Sequence, residues 1–386
     1  MSGDRSALIV GAGIGGLAAA VSLQRAGWRV RVLERADNPR ELGFALALAP
    51  NALKALRELG LADTVVAAGA EVHTFEVRRP DGAVMKRVNF VDRGTDSRSV
   101  VTLRPALHGA LLRAVPADAL LLGHEVRDVT ATASSATVTL ADGRRLSADA
   151  VIGADGVGSA LRRRLHPDEP PPRPSGYHAL RGVTHGAAHH LDRVDVIIYL
   201  GDGIEAGFAR ASATAVYWYI SVVSEYVPAG ATPGDVLDRC LRGMEPGAAS
   251  LAQAARPEDI RLEPIFRRDP IETWGSGCAT LLGDAAHPVM PHTAQGAALA
   301  IEDAVALGIV LRRGDVPPAL RAYEHVRARR TRQVVGAGPR IAALTTTTSP
   351  ARIFLRNTAI RLLPGIVLSG TLSLHARDPH RPLRSA

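Results

Sequence analysis

Residues 7–34, ALIVGAGIGGLAAAVSLQRAGWRVRVLE, limit what this chain can become more than any other stretch. Ala7–Val10 is a short apolar run of the kind that makes a buried strand. It enters Gly11-Ala-Gly13-Ile-Gly15-Gly16, a helical pattern to about Arg25, and Gly27 as a helix stop. A second strand, Val30–Leu33, ends at Glu34, 18 positions after Gly16. A glycine triplet alone is weak evidence. Here it lies between strand and helix, with an acid closing the next strand, which completes a dinucleotide-binding fingerprint. Gly11 makes the turn, Gly13 lets the backbone approach a pyrophosphate, and Gly16 allows the helix to pack on the strand. Glu34 stands where it can accept hydrogen bonds from an adenosine ribose.

Two further stretches repeat the theme of strand, acidic loop and helix. Ala150–Gly153 is followed by Ala154-Asp155-Gly156 and a helix from about Ser159 to Leu165. Near the other end lies CATLLGDAAHPVMPHTAQGAALAIEDAVALGIVL, residues 278–311. Ala279–Leu282 reads as a strand that Gly283-Asp284 stops, and Pro288 and Pro291 hold the next residues extended. From about Thr293 the pattern is helical, with apolar Ala297, Ala300, Ile301, Ala304, Val305 and Gly308. That helix start offers unpaired N–H groups and a partial positive charge, and Gly296 and Ala297 leave room for a flat ligand.

Between these anchors the pattern varies. Gly43–Leu61 is extended and then helical from Pro50, and Glu71–Val91 is a hairpin around Pro80-Asp81-Gly82. Val100–Leu103 is a strand, and Arg104-Pro105 opens a helix to Ala114. Arg104 at that junction either reaches a ligand or is an ordinary surface arginine. Leu120–Leu146 holds two or three strands. The proline-rich His166–Ser175 is a domain linker, and from Gly176 to about Phe266 the pattern is β, interrupted by a helix over Asp235–Gly243. Pro318–Ile341 is a helix with Tyr323, Val326 and Val334 inward and its arginines outward. Leu344–Leu363 is a further helix broken near Pro350, and the tail after His375 is frayed.

At 386 residues, 46% hydrophobic and 22% charged, the chain has the make-up of a soluble protein of two domains, or of one domain with an insertion. Its net charge of +8 is carried by arginine. The runs Arg162–Arg164 and Arg327–Arg332 read as solvated helix faces, without a nucleic-acid motif. Cys240 and Cys278 form no CxxC, so neither a disulfide framework nor a zinc site is implied and a cytoplasmic location is expected. The N-terminus has no signal pattern, and Ile366–Leu374 is too short to span a bilayer.

Taken together, Gly11–Gly16 with Glu34, Gly153–Arg162 (GADGVGSALR) and Gly283–Gly296 (GDAAHPVMPHTAQG) resemble the single-component FAD-dependent aromatic hydroxylases, the para-hydroxybenzoate hydroxylase-like group. The likeness spans residues 5–335. Gly176–Thr184 (GYHALRGVT) and the following Tyr-Trp-Tyr look most like the salicylate, 3-hydroxybenzoate 6- and urate hydroxylase branch. The resemblance implies an α/β fold: a Rossmann-type FAD-binding domain, an inserted β-sheet substrate domain and C-terminal helices. The FAD-binding domain is expected over 1–72, 98–172 and 275–345, the substrate domain over 73–97 and 173–274, and a C-terminal helix and tail over 346–386.

It further implies that Gly11, Gly13, Gly16 and Glu34 hold the ADP half of FAD, that Arg35 and Arg104 lie near the adenosine and the ribityl–pyrophosphate segment, and that Asp155 belongs to a motif associated with both FAD and NAD(P)H. Asp284 would hold the ribityl chain, and Pro291, Gly296 and Ala297 would pass alongside the ring. Expected substrate-side residues are Arg181, Tyr217, Tyr219 and His292, with Phe44 and Leu46 lining the pocket; the tyrosines as core and Arg181 as a surface residue stay open. His287, His178, His189 and His190 read as structural or surface residues, and no metal is expected. The implied activity is NAD(P)H- and O2-dependent hydroxylation of an aromatic or polyketide-like molecule through a flavin hydroperoxide, by a monomer or homodimer without a membrane span. An epoxidase or Baeyer–Villiger enzyme, an FAD oxidoreductase and a non-catalytic FAD- or ligand-binding protein on the same fold remain as alternatives. The family often has glycine at the positions of Ala45 and Ala294 and asparagine at that of Ala298. Neither a flavin-halogenase signature nor the thioredoxin-like C-terminal domain of phenol hydroxylases is present.

Overall fold

A computed structural model of the chain describes residues 5–38, 44–90, 98–191, 194–312 and 314–362. Gly43, Val91 and the segments expected at 366–374 and beyond His375 lie outside the described residues.

The chain begins with β1 (Ser6–Val10), α1 (Ile14–Arg25) and β2 (Arg29–Leu33), a parallel pair in which Ala7 faces Val30 and Val10 faces Leu33. β3 (Ala45–Leu48), α2 (Pro50–Glu58), α3 (Ala62–Ala68) and the short β4 (Ala70–Glu71) follow. The expected hairpin is β5 (Thr74–Arg78) and β6 (Val84–Asn89). β7 (Val100–Leu103) runs straight into α4 (Arg104–Arg113), with proline in its first turn, where no N–H is missed. Next come β8 (Leu120–Leu121), the antiparallel β9 (Val126–Ala131), β10 (Ala136–Leu140) and β11 (Arg145–Ala148), then β12 (Ala150–Gly153) and α5 (Ala160–Leu165). β13 (Arg173–His185), β14 (Val196–Leu200), β15 (Ile204–Arg210) and β16 (Ala215–Val223) precede α6 (Pro233–Leu241), α7 (Pro246–Gln253) and β17 (Arg261–Arg267). β18 (Ala279–Leu281), α8 (Gly296–Val310), α9 (Val316–Thr345) and α10 (Pro350–Leu362) complete the described chain.

Two sheets dominate. A parallel sheet is ordered β18-β12-β1-β2-β8, so all three strand–acidic-loop–helix units end at one edge of it. The helices α1 and α8 pack on it through small residues, and α8 is buried on all sides from Ala298 to Gly308. The second sheet has seven strands, ordered β17-β13-β16-β15-β14-β5-β6. Its two faces follow the period of two along a strand. Val216, Trp218, Ile220 and Val222 of β16 point into a core shared with α6 and α7. Tyr217, Tyr219 and Ser221 therefore point the other way, and Tyr217 packs beside Ala45, Val101 and Leu103 of the parallel-sheet half.

Four expectations are corrected. The helix after the proline loop starts at Gly296, not Thr293: Pro291–Thr293 is a single tight turn, and Ala294 then takes a left-handed conformation (φ 50°) that breaks the path. The arginine runs are solvated faces only in part: Arg163, Arg164, Arg329 and Arg332 are exposed, but the first arginine of each run is not. Arg162 and Arg327 are both 0% exposed, because carboxylates and carbonyls meet them inside. Arg327 Nε donates to Asp303 at 2.6 Å and its Nη1 lies 2.7 Å from Glu302, both acids standing on the facing helix α8. Periodicity assigns arginine outward because a lone buried charge is prohibitive, and it cannot see the paired acids that make burial tolerable. Finally, α7 occupies a region read as β, and α9 continues past Pro339 to Thr345.

Candidate active site

The first functional element is the turn after β1. Gly11 has φ 104°, a left-handed conformation that side chains resist, and a Cβ there would strike the carbonyl of Ala154. A Cβ on Gly16 would collide with the carbonyl oxygen of Gly11, so helix α1 can close on the turn only with glycine there. Around Gly13, by contrast, there is open space. Glu34 organises this loop: it accepts from the amides of Ala12 at 2.8 Å and Ala36 at 2.9 Å. A cavity of about 490 Å³ opens beside it, walled by Gly11, Gly13, Glu34, Arg35, Arg104 and Asp155. Six expected cofactor residues thus meet in one cavity.

Asp155 caps α5. Its Oδ2 accepts from the amide of Ala160 at 2.7 Å, while Oδ1 is buried without a hydrogen-bond partner. Burial raises its pKa. An orphaned buried acceptor at the wall of a cavity is a group that a bound hydroxyl or amide would satisfy.

Asp284 sits on the single tight turn Gly283–Ala285 after β18. Its side chain is exposed to solvent, although many protein atoms lie around it. That enclosure raises its pKa, and the charges of His287 and Arg104 oppose the rise. Arg104 lines that cavity, and its charge also reaches Asp284. Two buried groups clamp the turn. Arg162 donates to the carbonyls of Ala285 (3.1 Å) and Ala286 (2.7 Å), and Asp303 accepts from the Gly283 amide at 3.0 Å and pairs with His287 at 2.5 Å. Next along the chain, Pro291, Gly296 and Ala297 form the rim and first turn of α8. The residue before that turn, Gln295, accepts from Asn51 Nδ2 at 3.0 Å, which ties α2 to α8.

The seven-stranded sheet carries expected substrate-side residues. Arg181 of β13 pairs in register with Tyr219 of β16, so Arg181, Tyr217 and Tyr219 share one face. The tyrosine rings stack with centroids 6.1 Å apart. Tyr219 lies over Gly207, where a Cβ would overlap its ring, and its hydroxyl donates to Glu205 Oε1 at 2.6 Å. Arg181 donates to Glu263 at 3.1 Å and stands 5.9 Å from the ring centre of Phe44. His292 Nε2 meets Ser221 Oγ at 2.7 Å, and its ring packs edge-on against Tyr177. Burial lowers the His292 pKa, so the imidazole is neutral near pH 7. All four expected substrate-side residues therefore converge. Leu46 instead packs into the core of the parallel-sheet half.

Sequence reading missed Glu205, Arg162, Asn51 and the Asp303–Arg327 pair. Glu205 had a readable signal: one acid in an otherwise apolar and glycine-rich strand, two residues from Gly207. The others had none, since each is defined by a partner on a distant segment. Among the described residues no cluster of three His, Cys, Asp or Glu side chains converges on a metal position, and no helix is long and apolar enough to cross a membrane.

The donor set fits FAD: an open glycine turn for a pyrophosphate, an orphaned acceptor at Asp155, an enclosed aspartate beyond it, and a helix N-terminus at the far end. Comparison with known proteins agrees. Residues 4–337 match the FAD binding domain family. The chain is 33% identical to aurachin C monooxygenase/isomerase of Stigmatella aurantiaca over 87% of its own length and 88% of the relative's. It is also 33% identical to 3-hydroxybenzoate 6-hydroxylase of Klebsiella oxytoca, covering 85% and 86%. The structure of Klebsiella pneumoniae HpxO with FAD and uric acid superposes with a TM-score of 0.90 at 28% identity, covering 97% of each chain. The chain belongs to the FAD binding domain family and is an FAD-dependent monooxygenase of its aromatic-hydroxylase branch.

Proposed function

We propose that this enzyme hydroxylates a small aromatic or polyketide-like ring, using NADPH or NADH as reductant and O2 as oxygen source. The observation that carries the reading is Asp284. It is an enclosed but water-reached carboxylate, within reach of the charge of Arg104, which lines the ADP-sized cavity, and followed at once by the turn into α8. In this reading Gly11, Gly13, Gly16, Glu34, Arg35, Arg104 and Asp155 hold the ADP half, and Asp284 holds a ribityl hydroxyl. Pro291, Gly296 and Ala297 border the flavin ring. FAD, when bound and reduced, supplies the means to activate O2 and deliver one oxygen atom to an electron-rich ring. The α8 N-terminus presents amides and a positive dipole end to the anionic side of that ring.

The chain's own residues handle the substrate. Tyr217 and Tyr219 offer a stacking wall, Tyr219 and Glu205 form a hydrogen-bonded route by which a substrate hydroxyl can give up its proton, and neutral His292 can accept or donate one. Arg181 orients a polar ring substituent. The sheet excludes water from the reacting face. The names of the relatives, acting on aminohydroxybenzoate, hydroxybenzoate, hydroxynicotinate and urate, support a hydroxylated or nitrogen-containing ring. The seven-stranded sheet draws on residues 74–89 as well as 173–267, which supports the division of 1–72, 98–172 and 275–345 from 73–97 and 173–274; α10, within the expected C-terminal segment 346–386, packs on that sheet through Arg356 and Ile360. A cytoplasmic monomer or homodimer is the accompanying proposal, supported by two free cysteines.

The test is O2 uptake and NAD(P)H oxidation by FAD-loaded protein against phenolic acids, hydroxypyridines and hydroxyquinolines. Substrate-stimulated turnover with an oxygenated product is expected. NAD(P)H oxidation coupled to product without oxygen incorporation would replace the reading with an oxidoreductase.

A further inference from the structure

The C-terminal helices concentrate the protein's charge and much of its exposed apolar surface. Residues 325–362 contain eight arginines and no acidic residue; Arg327, Arg330 and Arg332 pair with acids of other segments and Arg356 is buried, which leaves exposed Arg329, Arg340, Arg352 and Arg361. Within α10, Phe354, Leu355 and Leu362 are 70%, 65% and 77% exposed, and Leu344 in the last turn of α9 is 58% exposed. These are four of the eight exposed large hydrophobic side chains among the described residues.

The orientation of α10 is set by its other face. Arg356 is buried and donates to the carbonyls of Thr345 (2.7 Å), Leu200 (3.1 Å) and Gly201 (3.3 Å), while Ile360 packs on Val77, Met85 and Leu200. At about 100° per residue, the side opposite Arg356 and Ile360 carries Ala351, Leu355, Thr358 and Leu362, with Phe354 beside them. Exposed Arg352 borders this stripe on one side and exposed Arg361 on the other. Further exposed arginines, Arg329 and Arg340, stand on α9. An apolar stripe with a cation along each margin is the pattern of a helix that lies in a membrane interface, the arginines reaching up to headgroups while the apolar side chains enter the acyl boundary. A second copy would set its own exposed Arg352 and Arg361 against these. An anionic surface is the complementary one.

The structure assigns to the outer face of α10 a docking surface for an anionic phospholipid bilayer, with Phe354, Leu355 and Leu362 inserting and Arg352 and Arg361 meeting headgroups. This is peripheral attachment, distinct from the flavin cleft and independent of which substrate the enzyme takes.

The experiment is cosedimentation of the FAD-loaded full chain with phosphatidylcholine vesicles, with and without phosphatidylglycerol. Partitioning is expected with the mixed vesicles, weakened by salt because part of it is screened attraction. Phe354→Glu/Leu355→Glu should abolish it. Arg352→Gln/Arg361→Gln should weaken it by about tenfold or more, at roughly tenfold per 1.4 kcal/mol and about 1 kcal/mol for each headgroup-contacting arginine. All three proteins should retain FAD and melt alike, since the changed side chains are exposed. Equal sedimentation with and without phosphatidylglycerol, no sedimentation of the unmodified protein, or sedimentation unaffected by Phe354→Glu/Leu355→Glu would each overturn the proposal. A dimer in light scattering that Phe354→Glu dissociates, without vesicle binding, would assign the face to a second copy instead.

Discussion

Asp284, after β18, and Glu205, on β15, are both carboxylates of the candidate site, and their surroundings give them opposite tasks. Asp284 is reached by water and is free to receive a ligand's hydroxyl. Replacing it with alanine should weaken FAD binding by about 10- to 100-fold, the worth of a hydrogen bond to a charged acceptor at ~1.5–3 kcal/mol. Quenching of FAD fluorescence on titration measures this, and unchanged affinity would remove Asp284 from the cofactor site. Glu205 is 4% exposed, with Oε1 met by Tyr219 and Oε2 without a partner. Tyr219→Phe should therefore cost about 1–3 kcal/mol of stability, because it strands a buried carboxylate. Tyr219→Phe with Glu205→Leu should recover part of that loss. Additive losses in a double-mutant cycle would show that the two side chains are not coupled.

At the scale of elements, α8 holds the molecule together. It carries the cofactor-facing turn at one end and the acid pair Glu302–Asp303 in its middle. Burial works against the charge on Glu302, but Arg327 and Arg330 outweigh it and hold its pKa at about 2. Because the folded value lies below the usual 4.5, the stabilisation is complete above about pH 4.5 and is lost as pH falls toward 2. Thermal melts should thus drop across that window, and Glu302→Gln should flatten the drop. Arg327→Met leaves two buried acids facing an apolar side chain and should cost ~3–5 kcal/mol. A melting temperature close to that of the unmodified protein would mean that the acids have found other partners. Ala294, in the turn just before α8, takes a left-handed conformation that costs about 1–2 kcal/mol for a residue with a Cβ. Glycine would not bear that cost, so Ala294→Gly should be neutral or stabilising.

For the whole molecule, the cofactor cleft is assembled from segments far apart in sequence: the glycine turn near residue 11, Arg104, Asp155, and the loop at 284–297. FAD bound across them should stabilise the fold as a ligand that the unfolded chain cannot hold, by ~2.7 kcal/mol at a hundredfold excess over its dissociation constant. Differential scanning calorimetry with and without FAD reads this directly. Asp284→Ala should shrink the shift without altering the melting temperature of the FAD-free protein by a comparable amount.

Much of this architecture was legible along the chain, for a physical reason. Gly11, Gly13, Gly16 and Glu34 act through local backbone geometry and a short loop, so their identities and spacing carry the information. The same holds for Asp155 at a helix cap and Asp284 at a strand end, and for the alternation that put Tyr217 and Tyr219 on one face of β16. What only the tertiary structure decided involves pairs that meet across long sequence separations. Arg327 is buried because Glu302 and Asp303 face it from another helix, and Arg162 because the carbonyls of Ala285 and Ala286 converge on it. Glu205 matters because Gly207 leaves room for Tyr219 to reach it. Hydrophobic periodicity treats each charge as alone and sends it to water, whereas the fold supplies the opposite charge or hydrogen-bond partner that makes burial stable.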